Sequence, residues 1–207
     1  MENIAPMLIL ASQSSARKAL LAGAGLRFDT ARAAIDERAL ETAARAAGAD
    51  APEVALALAE AKAKAVSKDQ NSAFVIGADQ TLALGPELLH KPMDRNEAAR
   101  QLDRLRGRSH HLHAGVALAQ NGQILWSGVE TATLTLRDFS QAERDDVLDR
   151  EGEAILGCVG SYRLEGPSIR LFAEVDGDYF TILGLPLLPL LAALRTHAPF
   201  LLSEPAA

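Results

Sequence analysis

A single cysteine, Cys158, is all the thiol the chain contains, and aromatic residues make up only 4% of its 207 positions. One thiol cannot close an internal bridge, so a disulfide-stapled scaffold is excluded and nothing calls for an oxidising compartment. Long apolar runs are missing as well. Met7 to Ala11 is short, follows no basic residue and passes straight into Ser12-Gln13-Ser14, which suits neither a signal peptide nor a membrane span. The stretch from Thr181 to Leu194 is broken by Gly184, Pro186 and Pro189. The expected location is the cytoplasm, with no membrane partner. Surplus positive charge is absent too: the net charge is −6 and the pI about 5.4, which argues against capture of a nucleic-acid polymer. An anion would bind such a chain only where cations are gathered locally. Finally, there is no Gly-x-x-x-x-Gly-Lys-Ser/Thr loop, no Gly-x-Gly-x-x-Gly after a strand and no Gly-x-Ser-x-Gly elbow. Common nucleotide-driven motors, dehydrogenases and serine hydrolases are therefore poor candidates.

What is present is the composition of a globular protein, 48% hydrophobic and 23% charged, enough apolar content to offset chain ordering. No repeat, linker or compositional shift divides it, so residues 1–207 are expected to form one domain. Met7 to Ala11 reads as a strand buried on both faces, followed by a serine turn and a helix over 16–24 that ends at Gly25. Alanine-rich helices are expected over 38–50 and 53–66, with Pro52 in the first turn of the second. Phe74 to Asp79 reads as a second buried strand ending at a carboxylate, with Thr81 to Leu84 continuing towards a Gly85-Pro86 turn. A helix is expected over 95–106, capped by Asp94 or Asn96. Strands over 110–119 and 123–137 are joined by Asn121-Gly122, a strong hairpin signal. Ser140, with Glu143 three residues on, predicts a capping box for a helix to about 149. Strands near 168–175 and 179–183 are expected around Asp176-Gly177-Asp178. Leu185-Pro186 then opens a last helix to about Arg195, and the tail beyond Pro199 is expected to fray. The order is mixed α/β.

Several residues could carry chemistry. Asp79 stands at the end of an apolar strand, where a carboxylate is costly unless paired, metal-bound or functional; the plainer reading is a turn or capping aspartate. Ser12, Ser14 and Ser15 gather hydroxyls at a helix start beside Arg17 and Lys18, and a bound phosphate would suit cations there. The plainer reading is a serine N-cap with solvated cations. Lys91 lies between a turn and a helix start, within reach of an anion, although most loop lysines are simply solvated. Glu60 and Lys64 form an ordinary i,i+4 pair. His111 and His113 share a strand face, but no further ligand has matching spacing, so a transition-metal site is disfavoured. Cys158 reads as a buried structural thiol.

Taken together and in order, these pieces resemble a known family. Leu8 to Ser14 with Arg17, Ile35-Asp36-Glu37, Ala59 to Ala63, Gly77-Ala78-Asp79-Gln80, Lys91-Pro92, Gly107-Arg108-Ser109-His110 and Gly184-Leu185-Pro186 are similar to motifs of the Maf nucleoside triphosphate pyrophosphatases. The resemblance implies a Maf/ITPase-like α/β fold, an elongated mixed sheet flanked by helices with a nucleotide-binding groove. It also implies divalent-cation-dependent release of pyrophosphate from a nucleoside triphosphate. Ser15 and Ala16 depart from the family's Pro and first Arg, leaving Arg17, with Lys18, to meet phosphate.

By the same resemblance Asp79, Glu37 and Lys62 are catalytic, and Asp79 and Glu37 hold the cation, Mg²⁺ with Mn²⁺ as the alternative. Ser12, Ser14, Arg17, Lys91, Gln80 and Glu165 contact substrate. Arg17, Lys62 and Lys91 would offset triphosphate charge, and either carboxylate could orient the attacking water. Glu165 within Tyr162-Arg163-Leu164-Glu165-Gly166, together with Gln80 and Leu171-Phe172, resembles the branch associated with 7-methyl-GTP. A carboxylate complements a cationic 7-methylguanine, and Tyr162 or Trp126 could add cation–π attraction. Glu165 could instead pair with Arg163 or join the metal site. A dTTP or UTP pyrophosphatase, a phosphatase and a non-catalytic nucleotide-binding regulator of cell division are the alternatives, and a homodimer is compatible with any of them.

Overall fold

The computed structural model describes residues 7–70 and 72–203. Its first strand, β1 (Leu8–Ala11), is buried throughout, as a continuous apolar run requires. Ser14 then caps α1 (Ser15–Gly23). A two-residue strand β2 (Asp29–Thr30), too short to leave a sequence signal, pairs parallel with β1. Asp36 caps α2 (Glu37–Ala46), accepting from the Ala39 N–H at 3.0 Å. Asp50 and Glu53 form a capping box for α3 (Ala51–Asp69), with Pro52 in its first turn.

The strand over Phe74–Leu84, β3, runs without a break through Asp79, so the carboxylate stands mid-strand rather than at its end. The physical reason lies in its partners. On one edge β3 pairs antiparallel with β5 (Ser109–Gln120) from Val75 to Ala83. On the other it pairs parallel with β1 over 74–77 and antiparallel with β4 (Glu87–Leu89) over 82–84. That second edge leaves residues 78–81 without a strand partner, a notch at the carboxyl end of β1. Crevices of this kind, at strand ends where the topology changes, are where open α/β sheets receive ligands.

Asp94, not Asn96, caps α4 (Arg95–Leu105). Beyond it, β5 and β6 (Gln123–Leu136) meet at Asn121-Gly122, both at positive φ, as a tight right-twisted hairpin needs. Ser140 and Glu143 form the expected capping box on α5 (Gln141–Glu151). Residues 167–171 form a 3₁₀ turn before β7 (Phe172–Asp176). The strand expected over 179–183 is instead the short helix α6 (Tyr179–Ile182): the Asp178 carboxylate accepts from the Thr181 N–H and hydroxyl and closes a helical turn. The last helix, α7 (Leu187–His197), leads to a 3₁₀ turn over Pro199–Leu202 where fraying was expected, and residues 204–207 lie outside the described residues.

The mixed sheet runs β2-β1-β3-β5-β6-β7, with β4 on β3. Even-numbered residues of β3 face two leucine-rich clusters, one under α1 and α7 (Leu10, Leu21, Ile76, Leu190) and one under α4 and α5 (Leu82, Leu102, Leu134, Leu148). Odd-numbered residues face α3 across a seam of small side chains. A Cβ at Gly77 would overlap the Ala59 carbonyl, and one at Gly115 the Ala55 carbonyl. Among the described residues, no helix is long and apolar enough to cross a membrane.

Candidate active site

The seam determines what reaches Asp79. Because Ala59 and Ala63 lie almost on the backbone of β3, Lys62 between them is drawn down to the sheet and is buried. Its ammonium donates to Asp79 Oδ1 at 2.6 Å and pairs with Glu37 Oε2 at 2.9 Å. Asp79 is held from β3 and Glu37 from the first turn of α2, so three separate segments converge on one nitrogen. The Asp79 side chain is 13% exposed and that of Glu37 54%. One carboxylate is therefore fixed in the floor and the other stands on a solvent-facing wall. Glu37 also lines an open cleft of about 630 Å³ formed by residues 32–38.

On the opposite face of the notch lies Arg17. It is only 9% exposed, so the solvated helix-start cation of the plainer reading is ruled out. Its Nη1 donates to the unpaired Ala78 carbonyl at 2.8 Å and to Ser12 Oγ at 3.1 Å, and its Nε donates to the Gly184 carbonyl at 2.7 Å. Among the described residues it makes no ion pair. Burial pulls its pKa below the ordinary arginine value, while Asp79 and Glu37 pull the other way. A guanidinium loses its charge only far above neutral pH, so the notch holds a fixed cation with no carboxylate bonded to it.

The hydroxyls are occupied in part. Ser14 accepts from the Arg17 N–H as the N-cap of α1, and Ser12 serves Arg17. The Gln80 amide donates to the Thr181 and Ile182 carbonyls at 3.1 and 3.0 Å. It thereby ties the α6 segment to β3 and leaves its carbonyl oxygen, close to Arg17 around Gly184, as the group open to a ligand.

Lys91 and Glu165 are both exposed and unpaired among the described residues. Both act electrostatically on Cys158, whose thiol pKa is raised by burial first and then by Glu165, against Arg163 and Lys91. Cys158 is half-buried rather than the buried thiol expected. Pairing of Glu165 with Arg163 is not observed: Arg163 donates instead to Glu151 at 2.7 Å. Tyr162 is no base-stacking platform, because it is buried with its hydroxyl 2.7 Å from His110 Nε2. Trp126 packs against the cluster under α1 and α7. His111 and His113 stack with centroids 6.0 Å apart, and among the described residues no three metal-ligating groups cluster. Sequence reasoning missed Glu151. Its one signal is a carboxylate at the last position of a helix directly before Gly152.

The donor set at Lys62 fits a hard divalent cation. Asp79 and Glu37 each keep one carboxylate oxygen with no protein partner among the described residues, and Mg²⁺ commonly takes one or two carboxylates and completes its shell with phosphate oxygens and water.

The strand-end notch thus holds on one face a buried guanidinium with no ion pair among the described residues, and on the other a carboxylate–ammonium–carboxylate cluster. The chain belongs to the Maf-like protein family, which it matches over residues 7–197. It is 53% identical over 190 residues to a 7-methyl-GTP pyrophosphatase of Rhizobium meliloti (strain 1021), covering 92% of this chain and 96% of that one. It is 52% identical over 188 residues to a protein of the same name from Brucella suis biovar 1 (strain 1330), covering 91% and 94%. It is also 51% identical over 190 residues to a nucleoside triphosphate pyrophosphatase of Bradyrhizobium diazoefficiens, covering 92% and 93%.

Proposed function

We propose that this protein hydrolyses a nucleoside triphosphate to the monophosphate and pyrophosphate, with 7-methyl-GTP as the preferred substrate. The observation that carries the reading is the Lys62 ammonium shared by Asp79 and Glu37 beside the buried Arg17, which makes no ion pair among the described residues. A triphosphate brings about four negative charges, and Arg17, Lys62 and Lys91 supply cations against the overall charge of the protein. Water adds to the α-phosphorus, the α–β bridging bond breaks, and the water's proton passes to a carboxylate. Asp79 suits that role because Lys62 and the strand hold it still, whereas Glu37 stands in the cleft wall. Asp79 and Glu37 would hold the divalent cation, which neutralises charge on the departing pyrophosphate when bound. Exposed and unpaired, Glu165 can meet the N1–H and exocyclic amine of a cationic 7-methylguanine. Relatives bearing that substrate in their names support the choice of base.

Orthophosphate release is measured with and without inorganic pyrophosphatase across 7-methyl-GTP, GTP, dTTP and UTP. Signal only with the second enzyme, and highest kcat/KM on 7-methyl-GTP, is expected. Direct orthophosphate would make the protein a phosphatase, and no signal in either arm a nucleotide-binding module. Faster turnover of dTTP or UTP would overturn the base assignment alone.

A further inference from the structure

Glu151 closes α5 with a side chain wholly excluded from solvent. A carboxylate so placed persists only if its oxygens are satisfied, and they are. Oε2 accepts from Arg163 Nε at 2.7 Å; Oε1 accepts from the Ser168 N–H at 2.9 Å and the Ser168 hydroxyl at 2.7 Å. The two anchors stand on either side of Glu165. Between them the backbone lies so close that a Cβ at Gly166 would come within 2.5 Å of Glu151 Oε1. Further back, Ser161 donates to Gln101 at 2.9 Å. Glu165 itself is exposed and, among the described residues, unbonded, in a segment otherwise tied to the interior.

Only Leu164 separates Arg163 from Glu165, and a free guanidinium there would be the natural counter-ion of that carboxylate. Glu151 takes the Nε hydrogen bond of Arg163, which then acts on Glu165 only at a distance. We propose that Glu151 is a positioning residue for base recognition: it fixes the 163–168 segment and holds Arg163, so that Glu165 meets the base without a hydrogen-bonded counter-ion. The proposal rests on the reading of Glu165 as the residue that meets the base. Its energetic logic is preorganisation, in which ordering and desolvation are borne by folding rather than by binding. The buried carboxylate does not touch the ligand; it determines whether the exposed one can.

The experiment compares Glu151→Gln, Glu151→Gln/Arg163→Met and Glu165→Gln with wild type, reading the ratio of kcat/KM for 7-methyl-GTP to that for GTP. Glutamine keeps the acceptor for Ser168 but frees Arg163 to quench Glu165. The ratio is expected to fall roughly tenfold, the scale of one charge-assisted hydrogen bond, through KM, with kcat on GTP nearly unchanged. Removing the freed guanidinium should restore most of it, which a purely structural role for Glu151 would not allow. Equal losses on both substrates, or no recovery in the double variant, would overturn the proposal. If Glu165→Gln leaves the ratio untouched, the base reading itself fails and takes this proposal with it. If that variant lowers the ratio while Glu151→Gln does not, only the proposal fails. Should Glu151→Gln not fold, Glu151→Asp, which keeps the charge on a shorter reach, is expected to lower the ratio by less, and an unchanged ratio there counts against the proposal.

Discussion

Asp79 can lose its charge without losing its place. In Asp79→Asn the amide oxygen still accepts from Lys62, and the ammonium keeps Glu37 at 2.9 Å. Stability should therefore change by no more than about 1 kcal/mol, while kcat falls at least about a hundredfold, the lower range for a group that moves a proton. Turnover near the wild-type rate would remove Asp79 from the chemistry, and a collapse in melting temperature would make it structural. Residues of this kind were legible in the sequence because a carboxylate on an apolar strand, or a cation at a helix start, conflicts with its surroundings. Arg17 was half legible: the conflict was visible, but not that its guanidinium would turn inward to carbonyls 61 and 167 positions away. Glu151 was not legible, since nothing local distinguishes it from a solvated helix-end glutamate until Arg163 and Ser168 fold onto it.

Helix α3 is the element on which the site depends, and its contact with the sheet has no slack. Gly77→Ala places a methyl group on the Ala59 carbonyl and against Ala63, the residues that flank Lys62 on the seam. Such overpacking should cost about 3 kcal/mol, the upper end for an added methyl that cannot be absorbed by side-chain movement. The displaced helix should also lower kcat at temperatures where the variant is still folded. Chemical denaturation and steady-state rates check the two together, and a variant as stable and active as wild type would show that α3 can shift freely. Local chemistry made most elements readable: Ser140 with Glu143, Pro52 in the first turn of α3 and Asn121-Gly122 each mark their own turn. Apolar runs were less informative. Residues 179–183 look like a strand, yet Asp178 and Thr181 make the helical turn, and β3 passes through Asp79 because β5 supplies hydrogen bonds along one edge. Pairing decisions of this kind belong to distant residues.

A buried imidazole should make the molecule as a whole sensitive to acid. His110 has no solvent exposure, its Nε2 meets Tyr162 and its Nδ1 has no hydrogen-bond partner among the described residues. Burial, with a smaller push from His111, lowers its pKa from 6.5 to about 4, against the Arg108 carbonyl. The folded protein thus keeps His110 neutral where the unfolded chain would protonate it. Stability from this group is complete above pH 6.5 and is lost as the pH falls towards 4, by up to about 3 kcal/mol. Urea midpoints of wild type and His110→Gln between pH 4 and 7 isolate the effect: the wild type should lose more stability on acidification, and parallel slopes would refute it. A different asymmetry follows from the α3 seam. The leucine-rich clusters at either end of the sheet can exchange one aliphatic side chain for another of similar volume. At Gly77 and Gly115, every codon change that alters the residue introduces a Cβ into a neighbour's backbone. In genetic terms the leucine clusters can drift by neutral steps while these two glycine positions have none, so the line along which Lys62 meets Asp79 is tightly held against wandering.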